Sequence, residues 1–178
     1  VYATPDAPEL NHTAELTSDK EWVVITSSSG TDDRYEITLI KVDDPELETR
    51  KLIEGFTHDW RLIDGIGNTL YFATNKEAAR LHVVKTDVGA ETLEWMEVVP
   101  VHTATIDSAV LVGDKLAVNY IDDAKSRLEL FSLDGEPLGL VNLPGLGKVD
   151  DLGGSAKADS GFFSLESFNQ PRTIYSFS

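Results

Sequence analysis

Residue types that could do chemistry are plentiful in this chain, but their spacing is wrong for most reactions. A serine nucleophile on a strand-to-helix elbow needs Gly-x-Ser-x-Gly. The nearest approach is Gly153-Gly154-Ser155-Ala156-Lys157, where Lys157 stands in place of the closing glycine. No other serine lies in an activating context, so no catalytic residue is assigned. The histidines are His12, His58, His82 and His102. None forms the His-x-His or His-x-x-x-His spacing that turns two imidazoles toward one metal, so no metal site is expected. Acidic pairs recur at Asp32-Asp33, Asp43-Asp44, Asp122-Asp123 and Asp150-Asp151. Neighbours on a strand point to opposite faces, and Asp favours turns, so these pairs read as turn residues. The glycine clusters Asp64–Gly67 and Gly145–Gly147 lack the third glycine and following helix of a dinucleotide fingerprint, so no cofactor is implied. Asn11-His12-Thr13 is a formal glycosylation sequon, relevant only to a secreted eukaryotic protein.

Composition narrows the partners. The net charge of −16 comes without a Lys/Arg cluster, which argues against a nucleic-acid surface. No apolar run of about 18 residues exists, so no membrane-spanning helix is expected. The absence of cysteine excludes disulfide scaffolds and thiolate chemistry, and does not choose between cytoplasm and periplasm.

Elements able to position any site must be strands. Helical periodicity is nearly absent, and alternating segments are cut by Gly, Asp, Asn or Pro every ten residues or so. Trp22, Leu70, Leu116 and Phe162, each following a polar turn, are taken as equivalent; they lie 48, 46 and 46 residues apart. The next strands run in step from Tyr35, Arg80, Arg127 and Arg172. Outer strands follow from Arg50, Glu94 and Leu138, and inner strands start at Thr13, Trp60, Asp107 and Val149. A four-strand unit repeating every ~45 residues is the period of a propeller blade. The expected fold is all-β, a partial β-propeller of about four blades of four antiparallel strands. Residues 1–178 form one domain, with blades near 13–56, 57–101, 104–145 and 148–178. The last blade lacks its outer strand, which residues beyond Ser178 are expected to supply. Trp22, Trp60 and Trp95 read as packing between blades. Phe162, Phe163, Phe168, Tyr175 and Phe177 are expected to fill the last interface.

Several stretches resemble one family. Thr74–Leu81, Asn119–Phe131, Leu143–Gly154 and Phe162–Phe177, together with the first 32 residues, are similar in order to the propeller domain of prolyl oligopeptidases. The spaced residues Ser167-Phe168, Pro171 and Ile174-Tyr175 are among the more specific. The resemblance implies a serine peptidase that cuts short peptides after proline, with a seven-bladed propeller covering an α/β-hydrolase domain. This chain then corresponds to the fourth to seventh blades, and the hydrolase domain with its triad is absent from it. The implied partners are that hydrolase domain and, through the parent protein, short proline-containing peptides. The resemblance further implies that the hairpin Gly30, Thr31 and Asp32 lies near substrate. Its plain reading from the residues is a polar hairpin with a left-handed glycine.

Two other functions stay open from sequence. One is a stand-alone propeller-like module binding a peptide or protein through loops on one face. The other is the propeller of a dipeptidyl or acylaminoacyl peptidase. A partial ring also exposes the faces of its end blades, so self-association of the fragment is expected.

Overall fold

Why the chain forms strands is visible in its alternation, and the computed structural model, which describes residues 2–167 and 170–178, shows how they associate. Among the described residues there are fifteen strands and no helix. The first sheet contains β1 (Leu10–Leu16), β2 (Trp22–Ser29), β3 (Tyr35–Lys41) and β4 (Thr49–Ile53). The second contains β5 (Trp60–Ile66), β6 (Thr69–Thr74), β7 (His82–Asp87) and β8 (Met96–Val99). The third contains β9 (Thr105–Val112), β10 (Lys115–Asp122), β11 (Lys125–Ser132) and β12 (Pro137–Leu140). The fourth contains β13 (Lys148–Gly153), β14 (Gly161–Ser167) and β15 (Gln170–Phe177). Each is an antiparallel meander in chain order. Three sheets of four strands and one of three, not closed into a ring, make a partial β-propeller.

Strand alternation sends successive residues to opposite faces, so a sheet between two others needs apolar residues on both. In β6, Leu70 and Phe72 join Trp22, Val24, Ile37 and Leu39 of the first sheet. Tyr71, between them, joins Leu116, Val118 and Tyr120 of β10. Ala117 of β10 turns the other way, toward Phe163 and Leu165 of β14. There is one apolar core at each of the three inter-sheet interfaces. Trp22 and Trp60 are buried in the first, with Trp95, just ahead of β8, packed against them.

The sequence-based equivalence of Trp22, Leu70, Leu116 and Phe162 mixes the two faces. Leu70 and Leu116 face the preceding sheet, whereas Trp22 faces the following one. Phe163 is the residue of β14 that faces back into the core, at 2% exposure, while Phe162 points away at 53%. A one-residue slip flips every side chain, which is why a period of about 46 cannot be read to single-residue accuracy. Phe162 therefore does not fill the last interface; Phe163, Phe177 and the stacked Tyr175 do. Phe168 lies outside the described residues.

Polar contacts fasten the first two sheets at one end. Thr17 Oγ1 donates to Asp19 Oδ1 at 2.7 Å, and the Gly67 amide donates to Asp19 Oδ2 at 2.6 Å. Trp22 Nε1 donates to the Gly67 carbonyl at 3.1 Å, and the Ser18 amide to Asp64 at 2.8 Å. Lys157, on the β13–β14 loop, donates to the Asp19 carbonyl at 3.4 Å, so the first and last sheets approach each other at this end. Partial burial works against the Asp19 carboxylate. The hydrogen bonds from Thr17, Glu21 and Gly67, with the Lys157 charge, outweigh it and hold its pKa below the usual carboxylate value.

Two predictions follow from this packing. Leu116→Ala, at a fully buried position, lowers unfolding free energy by about 2–5 kcal/mol, and Ile174→Ala on the outer face costs under about 0.5 kcal/mol, both read from denaturant midpoints. Asp19 holds its proton less tightly when folded, so its stabilisation is present above the unfolded carboxylate range and is lost as pH falls through the folded value. Thermal unfolding of Asp19→Ala accordingly lies below that of the unsubstituted chain above about pH 5, and the gap narrows as the pH approaches about 3.

Candidate functional site

Meander topology puts alternate hairpins at opposite ends of the sheets. The β2–β3, β6–β7 and β10–β11 connections share one end; the Asp19 cluster lies at the other. The last hairpin of the first set, β14–β15, contains residues outside those described. The expected site residues Gly30, Thr31 and Asp32 form the β2–β3 hairpin. Ser28 and Tyr35 are cross-strand partners at its base. Gly30 has φ +60°, the left-handed region that favours glycine, and a Cβ there would meet nothing within 4 Å. Its carbonyl accepts a 3.4 Å bond from Asn11 Nδ2, and the Asp32 amide donates to the Ser29 carbonyl at 3.2 Å.

Asp32 is engaged with Arg34. Arg34 Nε lies 2.8 Å from Oδ1 and 3.0 Å from Oδ2, with a further bond from its terminal nitrogen. The Arg34 hydrogen bonds hold the Asp32 carboxyl below its ordinary value, and Asp32 raises the pKa of Arg34 in return. Thr31 is exposed at the tip. Gly30, Thr31 and Asp32 thus form a hydrogen-bonded tip at the solvent surface with no nucleophile–base pair.

Sequence reasoning missed a second set of polar residues at the same end. Asp59 is 7% exposed and takes both Nε and a terminal nitrogen of Arg61, at 2.7–3.1 Å. The Asp59 amide donates to Asn75 Oδ1 at 2.9 Å, which ties the start of β5 to the β6–β7 loop. The hydrogen bond to Asp59 raises the pKa of Arg61, against the cost of its partial burial. Asn75 and Arg80 flank the β6–β7 loop inside the Thr74–Leu81 stretch. That stretch signalled the family resemblance, but no spacing rule attached chemistry to it.

The histidines are held apart in separate polar networks. His12 meets Thr4 Oγ1 at 2.9 Å and Ser27 Oγ at 2.8 Å. His82 lies 2.8 Å from Glu97 Oε2 and 3.1 Å from the Lys76 carbonyl. His58 is 2.8 Å from Thr57 Oγ1, and His102 accepts the Ala104 amide at 2.9 Å. Among the described residues no three His, Asp or Glu side chains gather around a metal-sized space. Among the described residues, this end presents loops with paired polar side chains.

Repeated four-stranded meanders packed face to face define a β-propeller protein. All 178 residues match the model of the prolyl oligopeptidase N-terminal β-propeller domain, and the chain belongs to that family. It is 25% identical to the prolyl endopeptidase of Elizabethkingia miricola over 163 residues, which is 92% of this chain and 23% of that protein. Over 133 residues it is 28% identical to the dual function macrocyclase-peptidase POPB of Amanita bisporigera, covering 73% of this chain and 18% of that one. A solved structure, from work on two prolyl endopeptidases and the role of inter-domain dynamics in their catalysis and specificity, superposes with a TM-score of 0.93. It shares 36% identity over 99% of this chain and 26% of its own. The apo prolyl oligopeptidase B of Galerina marginata superposes at 0.91 with 20% identity, over the same share of this chain. The chain thus spans about a quarter of the length of these curated endopeptidases.

Gly30→Ala is expected to destabilise the hairpin by about 1 kcal/mol, because space is free but the left-handed backbone disfavours a Cβ. Denaturant unfolding measures it, and an unchanged midpoint would show that the turn relaxes.

Proposed function

We propose that the chain is the access-controlling propeller portion of a serine peptidase that cleaves short peptides after proline, with the catalytic groups in a hydrolase domain outside these residues. The single observation that carries this is the match of the whole chain to the family's propeller, while endopeptidase relatives are about four times as long. The absence of a nucleophile–base pair among the described side chains accords with it. On this reading the blades form a stiff cover. They exclude folded proteins by size and keep the reacting groups dry, which strengthens electrostatic stabilisation of the transition state. The hairpin of Gly30, Thr31 and Asp32 faces the hydrolase domain, with Thr31 nearest the substrate. Separated from its parent, the fragment self-associates through the outer faces that carry Phe162 and Ile174.

Hydrolysis of a proline-containing chromogenic peptide tests the proposal. The 178-residue chain is expected to be inert. The longer protein that contains it is expected to cleave the peptide, and to leave the same sequence uncut inside a folded domain. In that protein Thr31→Trp raises KM for short peptides several-fold without lowering thermal stability. Peptide hydrolysis by the isolated chain, or a parent protein that cleaves folded and short substrates alike, would overturn it.

A further inference from the structure

Arginine usage is unusual at one position. The chain carries a net charge of −16, and five of its six arginines are engaged. Arg34 pairs with Asp32, Arg61 with Asp59, Arg127 with Glu129, and Arg172 with Asp151. Arg50 donates to the Val88 carbonyl. Among the described residues Arg80 is the arginine with no hydrogen bond and no ion pair. A guanidinium presents five donors in a planar fork, so an unengaged one has its full donor set available to an anion.

Its surroundings have the form of a site. Arg80 borders a cavity of about 570 Å³ between the second and third sheets. The size lies within the range of small-ligand pockets. One wall is apolar, made of Leu81 and Ile106, both under 9% exposed. The other is polar. Asn75 uses its Oδ1 to accept the Asp59 amide, which leaves its amide nitrogen as a donor without a protein acceptor. The two carboxylates that also line the space are already answered. Asp59 is held by Arg61, and Asp107 accepts from Asn119 Nδ2 at 3.3 Å, while Lys148 nearby is paired with Asp150. Arg80 is the charged residue of the lining that makes neither a hydrogen bond nor an ion pair among the described residues. The cavity opens at the end of β6 and the start of β9, the same end as the Gly30 hairpin.

We propose that this inter-blade cavity binds the C-terminal carboxylate of a short peptide, with Arg80 and Asn75 donating to the carboxylate and the terminal side chain lying against Leu81 and Ile106. A chain-end carboxylate sits directly beside its own side chain, so one residue reaches both the guanidinium and the apolar wall. A glutamate side chain holds its carboxylate several bonds further from a neighbouring apolar side chain. The ligand's being a peptide rests on the function proposed above; the carboxylate preference rests on the cavity alone. The cavity thus anchors one end of a peptide on the face where the hairpin stands, and adds a preference for free chain ends to exclusion by size.

Calorimetric titration of the intact chain with N-acetyl-glycyl-leucine, its C-terminal amide, and N-acetyl-glutamyl-leucine amide tests this, alongside the Nε–H resonance of Arg80. The free acid is expected to bind saturably, weaken with added salt and shift the Arg80 resonance, while both amides bind at least ~10-fold more weakly. Arg80→Ala abolishes binding. Arg80→Lys keeps the charge, loses the fork, and retains weakened binding. Because Arg80 is exposed and makes no bond, both variants keep the unfolding midpoint of the parent. Equal binding of acid and amide, equal binding of the glutamyl amide, or full binding by Arg80→Ala overturns the proposal. None of these readouts uses peptidase activity, so they stand or fall separately from the proposed function.

Discussion

Every part of this molecule depends on burying both faces of a twisted antiparallel sheet. A sheet with apolar residues on alternating positions of both faces is insoluble alone, and hydrophobic burial is worth about 25 cal/mol per Å². Stacking sheets side by side solves this for all but the end members. The second and third sheets are sandwiched, and Leu70, Phe72, Val83, Leu116 and Val118 are at most 1% exposed. The first and fourth sheets are covered on one face only. Their outer faces differ. The first is partly covered by the N-terminal segment, whose Tyr2 reaches Thr38 and packs edge-on against His12. The fourth leaves Phe162 and Ile174 in solvent.

That same constraint separates scaffold from function. Because faces are consumed by packing, only hairpins at the ends and the seams between sheets remain free to vary. One end is used for fastening, where Asp19, Thr17, Trp22 and Gly67 lock adjacent sheets together. The other carries the Gly30 hairpin, the Asp59–Arg61 pair and Arg80. This division leaves the loops at that end free of the packing that fixes the sheets, as the proposed role requires. Rigidity matters to the proposed role, since a cover that selects by size must not breathe open at the cost of one weak contact.

The family's endopeptidases are multidomain, and this chain belongs to their propeller. The proposed division of labour, in which the propeller screens and another domain reacts, asks no catalysis of the side chains described here. The polar networks here, such as His82 with Glu97 and Asp59 with Arg61, are built for fit and charge balance. Arg80 stands outside these networks, and the proposed carboxylate site rests on it.

The sequence by itself determined the strand content, the four-fold repeat, the missing outer strand of the last unit and the family, because hydrophobic alternation and turn residues are local and each unit repeats the same solution. It also placed a polar hairpin with a left-handed glycine at Gly30, since such a turn is a local signal. Facing was not legible. Phe162 and Phe163 are adjacent aromatics of equal hydrophobicity, and only the stacking of the fourth sheet on the third decides that Phe163 is inside. The Asp59–Arg61–Asn75 cluster and the unengaged Arg80 were also decided by tertiary structure. Their partners are brought together by strand pairing and by the seam between two sheets, and no spacing in the chain records which charges meet and which is left over.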